Sequence, residues 1–215
     1  AVGFTGSLAG GRALFDWCAQ RPEPIPFFGE LGSVNPMFFM PAALAHRGAE
    51  IAAGWAGSLT MGAGQFCTNP GISVVVAGPD ADAFVEAATK ALEPIGPQTM
   101  LTDGIAAAYR SGHATISGTQ GVQELLTSTC DLRNASPYLF ATTGENWLAN
   151  EELGEEVFGP LGMIVIAKDM DEMRTIAKAG QGQLTCTVHL DDADAEDARS
   201  LMPILGRKAG RILAN

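Results

Sequence analysis

Gly162-Met163-Ile164-Val165-Ile166-Ala167-Lys168-Asp169-Met170-Asp171-Glu172-Met173-Arg174-Thr175-Ile176-Ala177 reads as two elements in succession. Gly162–Ala167 carries no polar side chain, as expected of a strand covered on both faces. Met170, Met173, Ile176 and Ala177 then recur at helical spacing, which predicts a helix laid along a sheet. The alternation continues outward from this point. Strand-like runs occur at Val2–Thr5, Ile72–Ala77, Tyr138–Thr142, Leu184–Leu190 and Gly210–Leu213. Helical stripes are formed by Leu44, Gly48, Ile51, Ala52, Trp55 and Leu59, by Phe84, Val85, Ala88 and Leu92, and by Ala195, Ala198, Leu201, Met202 and Leu205. The acidic stretch from Asp191 to Asp197 suits a helix start and a wet face. Strand followed by helix, repeated, predicts an α/β fold with a mostly parallel sheet and flanking helices. Arg21–Pro26 is the one linker-like segment.

Composition narrows the function classes. The chain has 215 residues, 47% hydrophobic and 17% charged, which excludes disorder along most of its length. Its 13 basic and 24 acidic residues leave a formal charge of −11. A nucleic-acid backbone or an anionic membrane surface requires a basic face, so neither is an expected partner. The four cysteines at 18, 67, 130 and 186 show no paired spacing. That argues against a disulfide framework or a zinc cluster, predicts no bound metal, and fits a reducing, cytoplasmic compartment. The best apolar run, Val34–Ala45, is broken by Pro36 and Pro41 and falls short of the roughly 20 residues of a spanning helix. No signal peptide is expected, and an opening without Met suggests an N-terminus made by cleavage or construction.

Four segments hold residue types that carry chemistry. Phe4-Thr5-Gly6-Ser7-Leu8-Ala9-Gly10-Gly11 runs from a strand through a Gly/Ser turn into a helix. The helix-start N–H groups and the Ser7 hydroxyl could hold a phosphate, although such turns are common without any ligand. Gly62-Ala63-Gly64-Gln65-Phe66-Cys67-Thr68-Asn69-Pro70-Gly71 surrounds one thiol with glycines and a proline. That fits a loop where backbone approaches a substrate, with Cys67 as a nucleophile and its own N–H as an oxyanion donor. Cys18, Cys130 and Cys186 read instead as structural thiols.

A thiol nucleophile needs a base. Glu30, in Phe28-Gly29-Glu30-Leu31-Gly32, is a lone carboxylate in an apolar run. If desolvated it could relay a proton through water, and otherwise it is a strand-end surface residue. His46, His113 and His189 leave a Cys–His hydrolase open. Glu155-Glu156-Val157-Phe158-Gly159-Pro160 is either a solvated turn or a place where a carboxylate accepts two ribose hydroxyls.

In this order the four segments resemble the aldehyde dehydrogenase superfamily. Phe4-Thr5-Gly6-Ser7 resembles its nucleotide-contacting motif, Glu30-Leu31-Gly32 that of its general base, Gly64-Gln65-Phe66-Cys67-Thr68 its catalytic-cysteine loop, and Glu156-Val157-Phe158-Gly159-Pro160 its ribose-binding motif. Ser33-Val34-Asn35-Pro36 and Cys67-Thr68-Asn69-Pro70-Gly71 are similar to the α-ketoglutarate semialdehyde (2,5-dioxovalerate) dehydrogenases and their fatty-aldehyde relatives. The resemblance implies NAD(P)-dependent oxidation of a small aldehyde to its acid, with NADP slightly favoured over NAD. Cys67 would form a thiohemiacetal and then a thioester, which Glu30 would hydrolyse through water. Gly6 and Ser7 would hold the pyrophosphate, Glu156 the nicotinamide ribose, and Leu31 and Phe158 would line the nicotinamide site. The family's usual state is a homo-oligomer.

Relative to the family pattern, residues 1–32 are expected to be the tail of the dinucleotide-binding domain and 33–215 most of the catalytic domain. The chain is thus expected to be a fragment, nearly inert alone, with exposed apolar surface. Two rivals remain at the level of sequence: a Cys-dependent hydrolase, and a non-catalytic folded core.

Overall fold

In the computed structural model, which describes residues 1–215, β1 (Val2–Thr5) leads into α1 (Leu8–Ala19) and then β2 (Phe27–Glu30). The two strands pair in parallel, with Val2 opposite Phe27 and Thr5 opposite Glu30. The Ser7 hydroxyl caps α1 by accepting from the Gly10 N–H at 3.2 Å. Gly11 lets α1 approach the Leu31 side chain closely, since a Cβ there would lie 2.8 Å from Leu31 Cδ1 and Leu31 would have to shift. These elements form one compact unit, Ala1–Ser33; Val34–Asn215 forms a second. Two strands and one helix cannot cover all their apolar side chains, and Trp17 and Phe28 stay 66% and 68% exposed.

The second unit runs β3 (Met37–Phe39), α2 (Pro41–Thr60), β4 (Ile72–Val76), α3 (Pro79–Leu92), β5 (Gln98–Thr99), α4 (Asp103–Gly118), β6 (Gln123–Leu126), β7 (Asn134–Ala135), β8 (Tyr138–Thr143), α5 (Gly144–Ala149), β9 (Leu161–Ala167), α6 (Met170–Ala179), β10 (Gln183–His189), α7 (Ala195–Leu205) and β11 (Ala209–Ala214). Its main sheet has the order β11-β10-β3-β4-β9-β8-β6. Every pairing is parallel except β6 with β8, while β5 and β7 form a separate antiparallel pair. The mostly parallel α/β fold read from the alternation is the one observed.

The sheet is covered on both faces. Phe39, Val75 and Ile164 pack under Trp55, Leu59 and Phe84 of α2 and α3. Phe38, Val74, Met163 and Val165 pack on the other face with Tyr109, Met173, Ile176 and Leu201. That double cover is why the central strands are continuous apolar runs. Asp169 starts α6 by accepting from the Glu172 N–H at 2.8 Å.

Two expectations are corrected, and one strand is added. The interrupted run Val34–Ala45, which forms no membrane-spanning helix, contains β3, a central strand. Pro36 precedes that strand and Pro41 opens α2, positions where a missing N–H is harmless. Met202 is 42% exposed and leaves its stripe. The acidic stretch is not uniformly wet, because Asp194 is 5% exposed. Its carboxylate accepts from Ala42 N at 2.9 Å, Ala43 N at 3.0 Å and Asp191 N at 3.0 Å. It thereby supplies α2 with the cap that Met40 cannot.

Candidate active site

Cys67 sits between two buried elements, α2 and β4. After Thr60 the chain leaves α2 through Gly62, Ala63 and Gly64, with φ of +57°, +57° and +64°. A left-handed alanine is strained, and here it is held by its surroundings. The Ala63 N–H donates to Gln98 Oε1 at 2.9 Å while Gln98 Nε2 donates to Thr60 O at 3.1 Å. Phe66–Asn69 then makes a turn closed by Asn69 N donating to Phe66 O at 3.0 Å. Cys67 is exposed at the second position of that turn, and its N–H has no partner within the chain. The remaining cysteines differ: Cys18 and Cys186 are buried, and Cys130 donates from Sγ to Asn134 O.

The turn is tied to the core at several points. Asn69 Nδ2 donates to Leu59 O at 2.7 Å, and Trp55 Nε1 to Pro70 O at 3.0 Å. Gly71 N donates to Val34 O at 3.0 Å. Asn35, buried at 2% exposure, donates from Nδ2 to both Cys67 O and Asn69 O at 2.9 Å.

The Glu156 segment adjoins this loop. A Cβ on Gly64 would lie 2.5 Å from Gly159 O and from Pro160 N, so the two backbones touch. Gly159, at φ +154°, is in turn pressed against Tyr109, whose hydroxyl donates to Ser136 O at 2.7 Å. Val157 packs on Gly112 of α4. Glu156 is exposed and Phe158 half-buried in the irregular stretch before β9. The fold therefore brings the Cys67 loop and the Glu156–Pro160 segment together.

Gly6, Ser7, Glu30 and Leu31 belong to the first unit, where the ends of β1 and β2 gather them. Gly6 N donates to Glu30 O at 3.1 Å. Glu30 is exposed, not desolvated, because its two-stranded sheet has nothing within the unit to cover that end. The three histidines are engaged elsewhere. His46 Nδ1 pairs with Asp191 at 2.5 Å. His189 ends β10, at the opposite end of the parallel strands from Cys67, and burial lowers its pKa. His113 stacks on Tyr138 at 3.9 Å, its pKa also lowered by burial.

A cavity of about 240 Å³ opens in the second unit between the sheet and α5, α6 and α7, lined by Val34, Phe38, Ile176, Gln183, Cys186 and Lys208 among others. Neither Cys67, Glu156 nor Phe158 lines it. No group of three or more His, Cys, Asp or Glu side chains is arranged to hold a metal ion. No helix is long and apolar enough to cross a membrane.

The arrangement is a parallel sheet clad on both faces, with an exposed thiol on a Gly-rich turn ahead of a central strand. Residues 1–200 match the model of the aldehyde dehydrogenase family, and the chain belongs to that family. Among curated proteins it is similar to alpha-ketoglutaric semialdehyde dehydrogenase 2 of Azospirillum brasilense, at 44% identity over 220 aligned positions. It is also similar to alpha-ketoglutaric semialdehyde dehydrogenase of Acinetobacter baylyi, at 39% identity. In both cases all of this chain is covered, and it spans 41% of the relative's length. A NAD-dependent benzaldehyde dehydrogenase from Corynebacterium glutamicum shares the fold with a TM-score of 0.81 at 22% identity, over 99% of this chain and 46% of its own.

Asn35, Gln98 and Asp194 are the structural contributors that sequence reading missed. Asn35 stood inside a quoted motif, but its left-handed backbone and its reach to Cys67 leave no mark in the order of residues.

Proposed function

We propose that the protein carrying these residues oxidises an aldehyde to its carboxylic acid with a nicotinamide cofactor, and that the aldehyde is α-ketoglutarate semialdehyde. The observation that carries this reading is Cys67 itself. Alone among the four cysteines it is exposed, and it stands on an anchored turn beside an unpartnered N–H of its own. The names of the two curated relatives support the choice of substrate, and a fatty aldehyde is the alternative.

In this reading the Cys67 thiolate attacks the aldehyde carbon, and the Cys67 N–H stabilises the oxygen of the thiohemiacetal. Glu30, although exposed in this chain, is assigned the base role on the family resemblance of Glu30-Leu31-Gly32, and removes a proton from the water that hydrolyses the resulting thioester. A bound nicotinamide cofactor supplies the hydride acceptor. The residues present fit such a group: the exposed start of α1 offers the Leu8 and Ala9 N–H groups, and the Ser7 hydroxyl keeps its proton to donate. Glu156, exposed beside the cysteine loop, is suited to accept from ribose hydroxyls, and Leu31 and Phe158 to flank the nicotinamide. NADP in preference to NAD, a homo-oligomeric state and a cytoplasmic location complete the proposal, the last in keeping with four unbridged cysteines.

A Cys–His hydrolase gains no support, since His46 and His189 lie at the far end of the strands and His113 stacks on Tyr138. The test is cofactor reduction on adding α-ketoglutarate semialdehyde, followed with NAD and with NADP. Loss of that signal in Cys67→Ala, with folding intact, is expected; reduction that survives the substitution overturns the reading. A higher kcat/KM for a long-chain aldehyde would move the substrate to the fatty-aldehyde class.

A further inference from the structure

We propose that Asn35 is a positioning residue that sets the direction of the Cys67 N–H, a role that rests on the reading of Cys67 as nucleophile. The carboxamide of Asn35 is saturated. Both Nδ2 protons go to the turn, at 2.9 Å to Cys67 O and 2.9 Å to Asn69 O. Its Oδ1 accepts from Thr185 N at 3.2 Å and Thr185 Oγ1 at 3.1 Å, both on β10. The backbone beneath it is fixed as well, with Val34 N and Asn35 N donating to Gln183 Oε1 at 2.8 and 3.0 Å. Asn35 itself has φ +45°, a conformation that asparagine tolerates better than most residues. One buried amide thus bridges β10 to the turn that carries the thiol.

The consequence follows from peptide planarity. The Cys67 N–H lies opposite the Phe66 carbonyl in one trans peptide plane. Phe66 O is held by Asn69 N, and Asn69 O and Cys67 O are held by Asn35. With both ends of the turn pinned, the peptide plane that carries the Cys67 N–H is held in place, and that N–H has no partner within the chain. A donor aimed in advance at a developing oxyanion is worth far more than one that must be turned towards it.

The test compares two reactions of Cys67 by peptide mass spectrometry. Iodoacetamide alkylates the thiolate and develops no oxyanion. With p-nitrophenyl acetate, the Cys67 sulfur bonds to the acetyl carbon through a tetrahedral oxyanion. The C–O bond then breaks, p-nitrophenolate departs with the electron pair, and the thiol proton goes to solvent. Both rates scale with the thiolate fraction, so their ratio reports the oxyanion alone. Asn35→Asp keeps the shape but removes both donors, and should lower the acylation-to-alkylation ratio about 10-fold or more. Thr185→Val adds no charge and removes one anchor of Oδ1, and should lower it about 3-fold. Should Asn35→Asp fail to fold, Thr185→Val decides. An unchanged ratio in a folded variant overturns the role of Asn35. If Cys67 of the unsubstituted chain is modified no faster than Cys130 in either reaction, the nucleophile reading fails and the role of Asn35 falls with it.

Discussion

Gly64 and Gly159 meet backbone to backbone: a Cβ on Gly64 would lie 2.5 Å from Gly159 O. One glycine belongs to the loop of the thiol and the other to the segment of Glu156, so their contact holds two distant stretches of sequence at one place. Gly64 also has φ +64°. Gly64→Ala therefore combines strain with a clash against rigid backbone, and should cost about 2–4 kcal/mol. For a chain of this size that lowers Tm by roughly 5–15 °C, readable by calorimetry. A Tm within a degree of the unsubstituted chain would show that the contact is not required.

Thiol accessibility gives a second expectation. Limited iodoacetamide should label Cys67 at least about 10-fold faster than Cys18, Cys130 or Cys186, since reactivity needs an accessible thiolate. Cys67→Ala should leave Tm nearly unchanged, because the side chain is exposed and outside the core. Labelling spread over several cysteines would contradict the account of the turn.

Asp194→Ala should destabilise by about 1–3 kcal/mol, because three N–H donors lose their acceptor. Asp194→Asn should recover part of that loss, as its remaining carbonyl oxygen can still accept. Urea unfolding midpoints order the three chains. Equal midpoints would mean that α2 does not depend on this cap.

These contacts mark where sequence reading stops. β4 and β9 were legible because both faces are covered, which removes polar residues from the strand itself. β3 was not, since the four residues between Pro36 and Pro41 carry too little pattern, although pairing with β4 and β10 makes it central. β6 is an edge strand with Gln123 and Glu124 exposed and no apolar run to show. At the site, Cys67 stood out because it is the one thiol flanked by glycines, although Gly64 proves to serve packing, through its backbone contact with Gly159. Asn35 and Asp194 act across the fold on residues far along the chain, and asparagine in a turn or aspartate at a helix start looks the same without such a partner. The exposure of Glu30 ran against its apolar sequence neighbours, because two strands cannot bury their own ends.

Alkaline pH should weaken the fold through two buried groups. Burial raises the Cys186 thiol to about 11 from the usual 9, and raises Tyr109 as well. The unfolded chain then ionises first and binds fewer protons, so stability falls as pH rises from about 9 towards 11. Cys186 contributes roughly 1–3 kcal/mol to that fall. Cys186→Val should flatten the alkaline limb of a stability–pH curve. An unchanged slope would place the loss in other groups.

The central claim is that Cys67 carries the acyl group and Glu30 activates the water that removes it. The direct measurement is the mass of the Cys67 peptide after Glu30→Gln, made in the whole protein that carries these residues, is mixed with α-ketoglutarate semialdehyde and cofactor and then quenched in acid. Without a base the hydrolysis step should slow by about 10²–10⁴-fold. The expected result is an acyl thioester that accumulates on Cys67 only when cofactor is present. An acyl group on another residue, or adduct formation indifferent to the cofactor, would contradict the account.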